Sequence, residues 1–444
     1  MAEQSYDTID KTVLHLAKRA ILDYLGCAVA GQREAVVGNL IALYGAKARQ
    51  GESTAFGGKY SREDAAMINA VAGHALDFDD TSWTTIGHPT TVAAPVVFAE
   101  AERLKLSGRY VLAAYSIGVE VAHTFARMTM PEVSERGWHT TCVYGTIAAA
   151  AASAWIRRLS PEITVNALGI ALSRAGGIRS NFGSMTKPLH AGLAVKAGME
   201  CADMAEAGVS ASRNAFEAAD GFADCFGASS RTQAASFGKP WDLATKGLAF
   251  KLYPCCSGAH PALDLLGDLM RQGTFKADDV ESIHAGLSLL GPRELVNHQP
   301  KTPLEARFSL EYTISAMLLR GQLTLDELTP EAVAAPDIQA FMRRVSMAVD
   351  EDLAKLGFIG TAPVKLRITL KNGQIITAAN DLARGNPEKP LTDQDFSEKF
   401  MRNATRFLPQ KTTQQLLEAL FALDEQQTVG DLIARACCHA PITR

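Results

Sequence analysis

The chain has 444 residues, with 44 basic against 48 acidic side chains, a formal net charge of −4, and 47% hydrophobic residues. This composition excludes a disordered or collagen-like chain, and the charge leaves no electrostatic footprint for nucleic acid or an anionic membrane surface. A single core stops growing near roughly 250 to 300 residues, so two domains are expected.

The N-terminus, MAEQSYDTID, is polar and acidic where a secretory signal would be basic and then apolar, and a cytoplasmic protein is expected. The most apolar run, residues 146–156, falls far short of the roughly 20 residues that span a bilayer, so no membrane segment is expected. The eight cysteines are scattered through a large chain and read as buried thiols, not as a disulfide framework.

In chain order, Asp7 or Thr8 can cap a first helix on which Ile9, Val13, Leu16, Ala20, Tyr24 and Ala28 recur every three or four residues. The same period marks residues 65–75, 93–103, 108–128, 144–159, 163–170 and 193–207. Their faces are rich in Ala and Gly, which lets helices approach closely, and a helical bundle is predicted. Beyond residue 262 the texture changes. Residues 282–290 form a short β-type run, 304–320 and 336–348 read as helical, and 364–379 reads as two strands around Lys371-Asn372-Gly373. Asn-Gly between alternating strands is the strongest short hairpin signal, because both residues tolerate positive φ. After a polar loop at 383–390, helices at 392–404 and 412–422 return to the helical block. The predicted class is mainly α: a large all-α bundle built from residues 1–262 and 392–444, with a smaller α+β domain at 263–391.

No GxGxxG follows a strand and neither GxxxxGK[ST] nor GxSxG is present, so no nucleotide cofactor is expected. Cys255-Cys256 with His260, and Cys437-Cys438-His439, lack the C-x-x-C spacing of a shared tetrahedral ion, and no metal is expected. Lone histidines His15, His123 and His284 fall on core patterns.

Four segments place polar chemistry among glycine, proline and apolar residues. In the first, His74-Ala-Leu-Asp77-Phe-Asp79-Asp80-Thr81 precedes Gly87-His88-Pro89. Asp79-Asp80 also fits a helix end or cap, whereas Asp77 falls on an otherwise apolar helix face and His88 lies in a loop, away from packing patterns. In the second, Gly137-Trp138-His139-Thr140-Thr141, the histidine comes just before a helix, where the dipole disfavours an imidazolium and favours an anion. The third, NFGSMTKPLHAG from Asn181, puts Thr186 and Lys187 at a helix start, where they can hold a carboxylate or stand as surface residues. The fourth, KLYPCCSGAHP from Lys251, lies at the predicted domain junction, a preferred place for ligands, although His260 before Pro261 equally fits a cap.

Together, HALDFDDT with GHP, GWHTT, NFGSMTKPLHAG, KLYPCCSGAHPA and ARFSLEY resemble the MmgE/PrpD family over nearly the whole chain. The resemblance implies a helical domain made of both chain ends, a smaller chorismate-mutase-like α+β lid, an active site between them and a homodimer. It also implies a dehydratase, decarboxylase or epimerase of small polycarboxylates with no metal or organic cofactor. The decarboxylase branch's functional positions fall on Asp77, Thr81, His88, His139, Lys187, Lys251 and Tyr312. Cys256 stands where that branch has a further histidine, and the dehydratase branch carries a different segment after the proline, ending in Phe-His.

The implied chemistry is proton transfer at a carbon beside a carboxylate. Lys187 and Lys251 are expected to clamp that carboxylate against developing enolate charge, with hydrogen bonds from Thr81, Thr186 and Tyr312. His88 and His139 are the expected acid and base, in either order, because imidazole titrates near neutrality. Asp77 is expected to orient a histidine or fix its tautomer. Tyr144, Lys196 and Cys256 lie next to these motifs as further substrate-contact candidates, with packing as the alternative for Tyr144 and Lys196. The expected reaction is lyase chemistry on a methylcitrate- or aconitate-like acid. An epimerase of an iminodisuccinate-like acid and a non-catalytic carboxylate binder are the alternatives.

Overall fold

Asp10, not Asp7 or Thr8, starts the first helix: its carboxylate accepts the Thr12 N–H at 2.7 Å, while Tyr6–Thr8 form a 3-10 turn one step earlier. A computed structural model describes residues 1–45, 51–228, 236–357 and 361–437. They fall into two compact units, Met1–Ser180 with Pro188–Leu248 and Thr392–Arg444, and Asn181–Lys187 with Ala249–Leu391.

Among its described residues, the first unit is helical apart from a short hairpin. Its helices of seven residues or more are α1 (Lys11–Gly31), α2 (Ala35–Gly45), α3 (Arg62–His74), α4 (Thr90–Leu104), α5 (Gly108–Thr129), α6 (Thr140–Ile156), α7 (Pro161–Arg174) and α8 (Thr186–Glu206), whose first two residues group with the second unit. The chain's C-terminal helices, α12 (Asp393–Ala404), α13 (Gln410–Phe421) and α14 (Gly430–Cys437), also belong to the first unit. The hairpin consists of β1 (Ser53–Ala55) and β2 (Gly58–Tyr60).

From Ala20 to Gly31, α1 is buried on all sides, with α3, α5 and α12 against it. On α6, every residue from Thr140 to Ala154 is buried. Small side chains make that density possible: a Cβ on Gly118 of α5 would sit 2.9 Å from the Ala152 Cβ, and interiors packed this closely leave no room for an added methyl. One charged pair crosses this core, Lys399 of α12 to Asp23 of α1 at 2.6 Å, both buried.

In the second unit, α9 (His260–Arg271) precedes β3 (Val280–Leu287), α10 (Leu310–Arg320), α11 (Pro336–Met342), β4 (Val345–Val349), β5 (Val364–Leu370) and β6 (Ile375–Asn380). The sheet order is β4-β3-β5-β6, with β3 parallel to β4 and antiparallel to β5, and β5 antiparallel to β6. Its core joins Leu263 and Leu266 of α9, Ile283 of β3, Ile314 of α10 and Ile368 of β5. The Asn-Gly hairpin forms, with Gly373 but not Asn372 at positive φ (+86°) and its N–H donated to the Leu370 carbonyl.

Several expectations need correction. Residues 336–348 are a helix followed by a strand, not one helix, because Val345–Val349 finds a parallel partner in β3; pairing with a distant strand outweighs local helical period. The expected helix at 304–320 breaks at Arg307–Ser309, where the Ser309 hydroxyl caps the Tyr312 N–H at 3.2 Å. His15 and His284 are exposed, next to Asp393 and Ser346, whereas His123 is buried. Among the described cysteines, Cys225 is exposed and the other six are buried and unbridged; Cys438 and His439 lie outside the described residues. No helix among the described residues is long and apolar enough to cross a membrane.

Candidate active site

The first site segment is built by ending a helix early. Helix α3 stops at His74, so Asp77 is not on a helix face. It sits in a turn with φ +50°, its N–H donated to the His74 carbonyl at 3.1 Å. Aspartate tolerates this left-handed conformation better than most residues. The turn folds Asp79 back beneath His74, whose Nδ1 lies 3.0 Å from both carboxylate oxygens. Lys399 pins the turn, donating to the Phe78 carbonyl at 2.8 Å with its ammonium 4.0 Å from the centroid of the Phe78 ring.

The loop then closes on itself through paired Ser82 and Gly87 backbone hydrogen bonds of 2.8 and 3.3 Å. Ile86 adopts φ +48° there, a strained conformation for a β-branched residue that persists only when its surroundings enforce it. His88 is thereby returned to the carboxylates. Its Nδ1 lies 3.3 Å from Asp79, its Nε2 lies 3.6 Å from Asp77, and its backbone N–H is donated to the Thr141 hydroxyl at 3.1 Å.

His139 is the residue immediately before α6. Its N–H is donated to the Gly177 carbonyl at 2.9 Å, and the Arg179 N–H returns to the Gly137 carbonyl at 2.8 Å, a two-bond clasp on the histidine's backbone. Its Nδ1 meets Nδ1 of His190, on α8, at 2.8 Å. Four imidazoles therefore run in series: His88 to His74 at 4.4 Å between ring centroids, His74 to His139 at 6.3 Å, and His139 to His190 at 5.0 Å. None is more than 9% exposed.

Two neighbouring carboxyls are pushed in opposite directions. Burial alone would raise Asp79, but the charges and hydrogen bonds of His74 and His88 hold it well below the ordinary carboxylate range. Asp80 is pushed well above that range, first by burial and also by Asp79 and Asp23, against the opposing hydrogen bonds from Thr90. An ionised Asp79 accepts N–H from Nδ1 of His74, while the His88 ring stands between two carboxylates, Nδ1 toward Asp79 and Nε2 toward Asp77.

His74, Asp77, Asp79 and His88 also bring ligand atoms within 4.8 Å of one another, a group that could hold a metal ion. Sequence reading tested metal chemistry only at the cysteines and overlooked this cluster. The 3.0 Å approaches of His74 to both Asp79 oxygens are those of a direct hydrogen bond. The roughly 3.3 Å edge of a tetrahedral nitrogen and oxygen ligand set is longer than these, and matches the 3.3 Å between His88 Nδ1 and Asp79.

The remaining candidates are placed as follows. Thr81 is buried in the first unit. Tyr144 is also buried there, its hydroxyl hydrogen-bonded to Thr129 at 2.7 Å, and Lys196 pairs with Asp64 at 2.6 Å. In the second unit, Lys187 is buried with its ammonium 5.3 and 5.1 Å from the ring centroids of Phe182 and Phe308, which favours a held cation. Thr186 precedes it, half-buried, as the first residue of α8. Lys251 is buried next to Phe250, whose N–H is donated to the Gly385 carbonyl at 2.8 Å. The Cys256 thiol lies 3.7 Å from a Glu294 carboxylate oxygen. The Tyr312 hydroxyl is donated to the Glu327 carbonyl, so its single proton is already committed. His260 opens α9 and its Nε2 lies 3.2 Å from the Cys255 carbonyl.

Sequence reasoning did not single out His74, Asp79 or His190 as site residues. The first two stood in the quoted motif, five residues apart, but their pairing depends on the turn at Asp77. His190 lies three residues after Lys187, hence on the same face of α8, and that spacing could have drawn notice.

Residues 1–234 match the MmgE/PrpD N-terminal domain and residues 253–424 match the MmgE/PrpD C-terminal domain. The chain belongs to the MmgE/PrpD family. Among curated proteins, it is similar to cis-aconitate decarboxylase of Mus musculus, at 29% identity over 93% of this chain and 87% of the relative. Cis-aconitate decarboxylase of Homo sapiens is also 29% identical, over 93% of this chain and 88% of the relative. Cis-aconitate decarboxylase of Aspergillus terreus is 24% identical, over 97% and 93%.

Proposed function

We propose that this MmgE/PrpD chain is a cofactor-independent acid–base lyase, a dehydratase or decarboxylase, acting on a small di- or tricarboxylate. The observation that carries this reading is the buried array in which His88 and His139 sit with His74 and Asp79. The relatives' printed activity, decarboxylation of cis-aconitate, supports the substrate class.

In the proposed mechanism, His88 and His139 move protons at the carbon beside a carboxylate, and Asp79 holds the His88 tautomer through Nδ1. Lys187 and Lys251 supply positive charge for the carboxylate as it takes on enolate character, with Thr81 and Thr186 as hydrogen-bond donors. Departure of CO₂ leaves a carbanion that is protonated at carbon, whereas departure of hydroxide as water leaves an alkene. The committed Tyr312 hydroxyl is kept outside the donor set, as is Tyr144.

Cys256 stands where the decarboxylase branch's pattern has a further histidine, so an acid other than cis-aconitate is the favoured substrate. A thiol offers a weaker hydrogen bond than an imidazole. Proton NMR in D₂O on citrate, 2-methylcitrate, cis-aconitate, malate and iminodisuccinate tests the reading. New vinyl or methylene signals support a lyase and identify its acid. Deuterium entering an α position with no new compound replaces lyase with epimerase. No change with any acid, combined with a raised melting temperature for one of them, replaces catalysis with binding.

A further inference from the structure

We propose that His190 is a positioning residue for His139: the hydrogen shared by their two Nδ1 atoms fixes which nitrogen of His139 meets the substrate and which protonation states the pair can adopt. The proposal rests on the acid–base reading of His139 and extends it to a residue outside the site expected from sequence.

The distance decides the chemistry. Two Nδ1 atoms 2.8 Å apart require one hydrogen between them: with none, two lone pairs repel, and with two, the N–H groups collide. In the neutral pair, the ring that donates has a bare Nε2, and the ring that accepts carries its hydrogen on Nε2. The two outer nitrogens are therefore complementary, one a base and the other an acid. The pair can take up one further proton and keep its hydrogen bond, but a second breaks it. When His139 donates, its bare Nε2 takes a proton and the resulting imidazolium is held by a charge-assisted bond to His190.

The surroundings fix both rings. His139 is clasped by Gly177 through its backbone N–H and directly precedes α6. His190 lies inside α8 and is buried. Gly177 has φ +94°, and a Cβ there would lie 2.8 Å from the Cys142 Cβ and 3.6 Å from the His190 Cδ2. The positive φ and the close Cys142 Cβ leave room only for a glycine where this backbone holds His139.

The test compares the full-length protein with His190→Ala and His190→Asn. The asparagine can place a hydrogen-bonding atom near the lost Nδ1. Imidazole ¹⁵N NMR reads the hydrogen bonding of His139 without any substrate, so it still reports if the proposed reaction proves wrong. A hydrogen-bonded Nδ1 on His139 is expected in the wild type and in His190→Asn, and loss of that hydrogen-bond signature in His190→Ala. On a turned-over acid, His190→Ala is expected to lose about 10²-fold in kcat with KM within a few-fold, and His190→Asn to recover most of that loss, the scale of a mispositioned acid–base group. Unchanged His139 signals in a folded His190→Ala protein overturn the proposal. An asparagine variant as slow as the alanine one, with the His139 hydrogen bond intact, also overturns it, because His190 is then needed to pass a proton and not to position a ring.

Discussion

Asp79 and Asp80 are sequence neighbours, both buried, and their carboxyls are pushed in opposite directions from the ordinary carboxylate range. Asp79 faces two imidazoles, whereas Asp80 faces the Thr90 hydroxyl, which meets the Tyr115 hydroxyl at 2.6 Å. Buried side chains whose environments push ionisation apart mark sites of proton chemistry.

The signs of their stability contributions therefore differ. The lowered Asp79 contributes stability that is present above the unfolded carboxylate value of about 3.9 and lost as pH falls through its folded value. The raised Asp80 contributes stability that is full below about 3.9 and lost as pH rises toward its folded value. Denaturant unfolding from pH 4 to 8 is expected to show Asp79→Asn losing about 3 kcal/mol near neutrality, the scale of removing one member of a buried charge pair. Asp80→Asn is expected to gain on wild type as pH rises. A loss for Asp80→Asn that grows with pH would show that its carboxyl is ionised in the fold.

His88→Ala and Lys251→Ala are expected to lower turnover about 10²-fold or more, on the usual scale for acid–base and electrostatic groups. Circular dichroism and thermal unfolding check that the fold is intact. Near-wild-type rates in either variant remove that residue from the mechanism.

Tyr312→Phe removes a hydroxyl already donated to the Glu327 carbonyl. A loss of about 1 to 3 kcal/mol in stability is expected, because a buried acceptor loses its partner, with kcat and KM little changed. A large fall in kcat without loss of stability would return the hydroxyl to the reaction.

The His74, Asp77, Asp79 and His88 cluster makes chelation informative. Exhaustive dialysis against a chelator is expected to leave turnover and melting temperature unchanged if the groups act as a hydrogen-bonded relay. Activity lost to the chelator and restored by Zn²⁺ would make the cluster a metal centre.

Legibility in the sequence followed the range of the interactions involved. The helices were readable because their apolar period is local, and the hairpin at Asn372-Gly373 because its turn chemistry is local. The strand Val345–Val349 was not, since its identity comes from pairing with β3, some sixty residues earlier. Asp77 was read onto a helix because Leu76 and Ala72 continue the apolar period; the helix in fact ends at His74, where the turn brings Asp79 to the imidazole.

The sequence by itself determined the mainly helical class, the family and the segments that hold the candidate chemistry, because composition, period and motif are carried by neighbours in the chain. Which histidine meets which group was decided only by tertiary structure. Lys399 pins the Phe78 turn from the C-terminal return helix, and His139 meets His190 across fifty-one residues. Such contacts arise where separate helices pack, and burial there strips away the water that would otherwise satisfy each imidazole and carboxylate, so each must find its partner in the fold.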